Sequence, residues 1–223
     1  MNPEQARFNM IEQQIRPWRL MDQRVLDCLY VVKREDFVPH AYRALAFADL
    51  EIPIGHGQAM LLPRLDARIL QELDLKAYDR VLEIGTGSGY LAALMAARAA
   101  EVVTMERVPE LALQAQKRLA EHGFSNVTVV AGEGLAGWPQ GAPYDAIVLT
   151  GALAEVPSAL LAQLRAGGRL LAVVGEAPAM QAQRINCIET GVFTTVALFE
   201  TMIPSLIRTK PHQDKRELDI DLS

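Results

Sequence analysis

VLEIGTGSGY, Val81 to Tyr90, decides how the rest of the chain is read. Val81, Leu82 and Ile84 form a short apolar run, and glycines follow at 85, 87 and 89. That pattern is a strand entering a glycine-rich turn, with the helical stretch YLAALMAARAA behind it. The same alternation continues downstream. RVLEI, EVVTME, VTVVAG, YDAIVLTG and RLLAVVG read as strands. PELALQAQKRLAEHG and PSALLAQL read as helices between them, and a Gly167-Gly168 turn precedes the last strand. The first of these helices has Pro109 in its opening turn and Gly123 just past its end, where those residues belong. Strands alternating with helices imply an α/β, Rossmann-like, doubly wound and mostly parallel sheet covered on both faces. The run QRINCIETGVFTTVALFE breaks the alternation. Two β-rich halves around Glu189-Thr190-Gly191 predict a C-terminal β-hairpin and an antiparallel edge.

Upstream of Asp79 the pattern is helical. PEQARFNMIEQQI places Phe8, Ile11 and Ile15 on one face, and MDQRVLDCLYVV does the same with Val25, Leu26 and Leu29. Pro17 separates the two, and REDFVPHAYRAL continues a partly helical region. EIPIGHGQAMLLP reads as a loop, and RLDARILQELDL as a helix with Leu65, Ile69, Leu70 and Leu73 inward. The expected organisation is one domain over 1–208, with a helical extension at 1–78 and the core at 79–208. A charged, mobile tail is expected at 209–223. A chain of 223 residues supports a substantial core, and half of its residues are hydrophobic.

The formal net charge of −5 argues against a nucleic-acid or anionic-membrane partner, which would call for clustered positive charge. The polar start and the absence of a long apolar run predict neither a secretion signal nor a membrane span. Cys28 and Cys187 lie far apart without CxxC spacing, so two inert thiols in a cytoplasmic protein are expected. His40, His122 and His212 show no metal-ligand spacing, and no metal is assigned.

The glycine turn is GxGxG, not the dinucleotide GxGxxG, because the large Tyr90 holds the last small position. No Lys-Ser/Thr follows, so the Walker pattern fails too. Glu83 stands two residues before Gly85, where a carboxylate would repel a pyrophosphate but suit a cationic head. Glu106 ends the second strand, placed to accept ribose hydroxyls. Glu133, after the third strand, is placed to accept from an adenine amino group. S-adenosyl-L-methionine, with an ammonium, a sulfonium and no phosphate, fits three acids in this order. Glu83, Gly85, Thr86, Gly87, Gly89, Glu106, Arg107, Glu133 and Gly134 are therefore the expected cofactor residues.

Several stretches together resemble the protein-L-isoaspartate O-methyltransferases, over roughly Arg24 to Pro204. VLEIGTGSGY is similar to that family's cofactor motif. REDFVPHAYRALAFADLEIPIGHGQ resembles its N-terminal signature, in which an FVP segment precedes an IGxGQ loop. NVTVVAGEGLAGWP resembles its NV…GDG…GWP segment, with Glu133 for the usual Asp. YDAIVLTGALAEVPSALLAQLRAGGRLLAVVG matches its fourth and fifth strands and the helix between. The resemblance implies methyl transfer from S-adenosyl-L-methionine to an isoaspartyl carboxylate in a damaged protein, leaving S-adenosyl-L-homocysteine. The ester then collapses to a succinimide. It also implies a substrate-side set of His56, Gln58, Ala59, Met60, Leu61 and Thr150. A carboxylate is already nucleophilic, so no general base is required, and none is assigned.

The chain departs from the family on the substrate side. The family loop reads GxGQ-T-x-S-x-P, and here Ala59 replaces the Thr and Leu61 the Ser. Gly151, Leu153 and Ala154 alter a TAAAPE segment that retains Thr150 and Glu155, and Thr201 stands where an Arg is often found. Backbone amides, or His56, Arg64 or Arg68 nearby, are the candidates for substitute donors. Three alternatives stay open: another carboxylate or small-molecule acceptor, a non-catalytic S-adenosyl-L-methionine-binding module, and, more distantly, a nicotinamide oxidoreductase.

Overall fold

The computed structural model describes residues 2–206, so the expected tail at 209–223 lies outside the described residues. The chain begins with α1 (Pro3–Asn9), which runs on through a π-helical turn (Met10–Ile15), followed by α2 (Gln23–Val31). A short hairpin of β1 (Ile52–Gly55) and β2 (Gln58–Met60) comes next, then α3 (Pro63–Leu73). The alternating part follows as β3 (Arg80–Ile84), α4 (Tyr90–Ala96), β4 (Glu101–Glu106), α5 (Pro109–Glu121) and β5 (Val127–Ala131). It closes with β6 (Tyr144–Leu149), α6 (Ser158–Leu161), β7 (Leu164–Glu176), β8 (Ala179–Glu189) and β9 (Val192–Glu200).

Seven strands form one sheet in the order β5-β4-β3-β6-β7-β8-β9. The first five in that order are parallel. β8 and β9 add an antiparallel edge, turning at Thr190-Gly191 as the β-rich halves predict. Strand alternation sends successive side chains to opposite faces. Val81, Val102, Ala146 and Leu171 meet the N-terminal elements and α4, among them Met10, Ile15, Leu26 and Leu70. Leu82, Val103, Ile147 and Leu170 build the opposite layer with Leu160 and Leu164. With both faces covered, every residue of β6 is buried, which is why Ala146 to Leu149 read as an apolar run. β3 lies between β4 and β6, so chain direction across the sheet reverses there and leaves a crevice at the strand ends.

Four expectations change. The stretch 52–60 is a β-hairpin, not a loop. His56 and Gly57 both take positive φ, 52° and 70°, which matches a tight two-residue turn. Phe8 is 47% exposed, because the side of α1 that turns inward carries Ala6 and Arg7, whose guanidinium pairs with buried Glu35. The helix after Pro157 spans only Ser158–Leu161. Gly167-Gly168 is a bulge inside the long β7 and not a turn before it: the pairing jumps from Tyr144↔Leu164 to Ala146↔Arg169.

Candidate active site

A cavity opens where β3, β4, β5 and β6 end. Its floor is the turn after β3, with Glu83, Gly85, Thr86 and Gly87. Glu106 and Arg107 follow from β4, Glu133 and Gly134 from beyond β5, and Thr150 from β6. Gln58, Ala59, Met60 and Leu61 of the hairpin form the opposite wall.

The turn is tied down from two sides. Glu106 accepts hydrogen bonds from the N–H of Gly87 (2.8 Å) and of Val108 (3.0 Å). The Gly87 N–H that a phosphate would need is therefore already held by a carboxylate. The Thr150 hydroxyl donates to the carbonyls of Ile84 (3.0 Å) and Gly85 (2.7 Å), binding the ends of β3 and β6 together. Gly85 has φ +100°, and a Cβ there would lie 2.2 Å from the Thr150 hydroxyl oxygen, so only glycine fits.

The cavity is lined by buried acids. Glu83 is fully buried, and one of its oxygens accepts from the Thr104 hydroxyl, which also contacts the Thr86 hydroxyl at 2.6 Å. Its other oxygen finds no partner among the described residues. Burial pushes the Glu83 carboxyl up to about 8, opposed by the Thr104 hydrogen bond and reinforced by Asp66 and Glu106 nearby. Asp66, also buried in the cavity wall, is pushed up to about 7 by burial, against the pull of Arg34 2.7 Å away. A buried carboxylate oxygen without a partner, beside two more acids, is the environment a bound cation relieves. Arg107 pairs with Glu133 at 2.8 Å across the far side. Among the described residues no group of three or more His, Cys, Asp or Glu is arranged to hold a metal ion.

The model of the protein-L-isoaspartate(D-aspartate) O-methyltransferase family matches residues 5–203. The chain belongs to this family. Two relatives give the scale of the likeness. The protein-L-isoaspartate O-methyltransferase of Methanoculleus marisnigri is 47% identical over 169 residues, spanning 76% of this chain and 77% of that one. That of Gloeobacter violaceus is 40% identical over 204 residues, spanning 92% of this chain and all of that one. A Plasmodium falciparum structure assigned as a protein-L-isoaspartate O-methyltransferase, in complex with S-adenosyl-L-homocysteine, superposes with a TM-score of 0.80. It covers 94% of this chain and all of that one at 20% identity, a likeness of fold.

Within this methyltransferase most of the residues singled out from sequence converge on the one cavity, with two exceptions. Gly89 does not line it. It caps α4 with φ +86° and lies close to Ala115 and Leu119 of α5, a packing position. His56 sits at the exposed hairpin tip, outside the lining. Neither Arg64 nor Arg68 enters the cavity as a substitute donor. Arg64 pairs with Asp49 and stacks on Trp18, while Arg68 pairs with Glu72 and lies over Phe199. The cavity wall formed by this segment is accordingly apolar at Ala59, Met60 and Leu61. Asp66 was missed from sequence, although it stands three residues before Ile69 and four before Leu70, on their face of the helix. An acid on an apolar helix face is the signal that marks it.

Proposed function

We propose that this methyltransferase transfers a methyl group from S-adenosyl-L-methionine to the carboxylate of isoaspartyl residues in damaged proteins or peptides. The observation that carries the cofactor half is the unpartnered, fully buried oxygen of Glu83 facing a glycine turn whose central N–H is already held by Glu106. Glu83 suits the ammonium end, Glu106 the ribose hydroxyls and Glu133 the adenine edge, with Gly85 and Gly87 allowing close approach. When bound, the cofactor supplies a methyl group activated by its sulfonium. The chain's own residues then have little covalent chemistry to perform. An acceptor carboxylate is ionised at neutral pH, so catalysis is alignment of oxygen with the methyl group and exclusion of water. The apolar wall of Met60 and Leu61 contributes that exclusion. A cytoplasmic location is part of this proposal, and two free, buried thiols support it. Incubation of methyl-labelled S-adenosyl-L-methionine with an isoaspartyl peptide is expected to release labelled methanol as the methyl ester collapses to the succinimide. Release no greater than from the matching aspartyl peptide would contradict the proposal.

A second function is favoured by the wall itself. Ala59 and Leu61 offer no side-chain donor to an acceptor carboxylate. A different carboxylate, or a small molecule presenting an apolar group, would suit them. That function predicts cofactor binding with isoaspartyl turnover close to an aspartyl control, so both are measured on one preparation.

A further inference from the structure

Arg34 does not line the cavity, yet it touches three elements that do. It is fully buried. One guanidinium nitrogen donates to the Leu61 carbonyl and another to the Asp66 carboxylate, each at 2.7 Å. Its guanidinium carbon lies 5.1 Å from the centre of the Tyr90 ring. Leu61 belongs to the acceptor wall, Asp66 to α3, and Tyr90 opens α4 directly behind the glycine turn. The segment that carries Arg34 is itself anchored, because its neighbour Glu35 pairs with Arg7 of α1 in a second buried ion pair.

We propose that Arg34 is the positioning residue of the acceptor wall, fixing the Leu61 backbone, and with it Ala59 and Met60, against the glycine turn. A guanidinium is a planar fork that holds two acceptors in fixed relative geometry and stacks on an aromatic face at the same time. The Leu61 carbonyl is thereby held at a set place relative to both α3 and Tyr90. The Arg7–Glu35 pair passes the hold of α1 to the same point, which gives the N-terminal helix a part in the active site without contact to substrate. Lysine would keep the charge for Asp66 but has no fork to hold Leu61 as well. A displacement of about 1 Å in such a support costs on the order of a hundredfold in rate.

The inference rests on the function proposed for this cavity, so its test has one arm that needs no acceptor. In Arg34→Lys, hydrogen exchange over residues 55–62 is expected to rise about tenfold, while 81–84 and 144–149 exchange as in the wild type. S-adenosyl-L-homocysteine affinity should stay within about threefold, and isoaspartyl kcat/KM should fall by about ten- to a hundredfold. Should Arg34→Lys fail to fold, Arg34→Met with Asp66→Asn removes both buried charges and leaves none unpaired. The same rise over 55–62 is expected there. Unchanged exchange over 55–62 would overturn the proposal. So would a loss confined to cofactor binding, which would make Arg34 a support of the other half of the site. If the wild type turns over no isoaspartyl peptide, the function fails while the exchange arm still decides the role of Arg34.

Discussion

Gly85→Ala tests how the cofactor turn is built. Alanine at φ +100° costs about 1–2 kcal/mol in backbone strain. The new Cβ would also stand 2.2 Å from the Thr150 hydroxyl oxygen, which cannot stay. Moving it gives up the hydrogen bonds to the Ile84 and Gly85 carbonyls, about 1 kcal/mol net for one shared proton. The single variant should therefore lose about 2–3 kcal/mol. Thr150→Ala alone should lose about 1 kcal/mol, by the same hydrogen bonds. In the double variant the hydroxyl is already absent. The next atoms around the new Cβ are at 3.5 and 3.6 Å, ordinary contact, so only the strain is added. The double variant should match Gly85→Ala alone, with a coupling energy of about 1 kcal/mol. Urea denaturation at constant slope gives the stabilities, and calorimetry with S-adenosyl-L-homocysteine gives the matching loss of affinity. Strict additivity would refute the contact, and a Gly85→Ala variant within about 0.5 kcal/mol of wild type would refute the contact and the strain together.

Stability should fall as pH rises from about 4.5 through about 8, because folded Glu83 holds a proton that the unfolded chain has already released. Thermal melts across that range should show a shallower slope in Glu83→Gln and a higher Tm than wild type above pH 8; an unchanged slope would count against Glu83. Glu106→Gln sets an amide against the N–H groups of Gly87 and Val108 and removes the charge, so S-adenosyl-L-homocysteine should bind about ten- to a hundredfold more weakly by calorimetry. Ala59→Thr with Leu61→Ser restores two hydroxyls to the acceptor wall and should raise isoaspartyl kcat/KM about tenfold or more. No gain in peptide turnover would show that the hydroxyls are not what the wall lacks.

The parallel core was legible because its strands carry short apolar runs, such as Val102-Val103 and Ala146 to Leu149, set between helical stretches, and burial on both faces demands such runs. That Glu83, Glu106 and Glu133 line one cavity was legible because they sit at or just beyond the ends of successive strands, where sequence spacing translates into position. What escaped was set by distant partners. Phe8 turned outward because Arg7 seeks Glu35, twenty-eight residues away. Arg34 gave no sign in sequence that it would join Leu61, Asp66 and Tyr90, since each contact is long-range. The hairpin at 52–60 carried a readable signal in its Gly-His-Gly centre, but flanking prolines argued for a loop. Gly89 satisfied the motif by spacing while serving helix packing, and Asp66 was hidden among the apolar residues of its own helix.

The central claim is that this cavity methylates isoaspartyl carboxylates despite its apolar acceptor wall. Methanol release from methyl-labelled S-adenosyl-L-methionine measures it directly, with an isoaspartyl peptide set against the same peptide carrying normal aspartate. Release well above the aspartyl control is predicted. Release indistinguishable from that control, in a preparation that binds S-adenosyl-L-homocysteine, would contradict the claim and give the site to another acceptor.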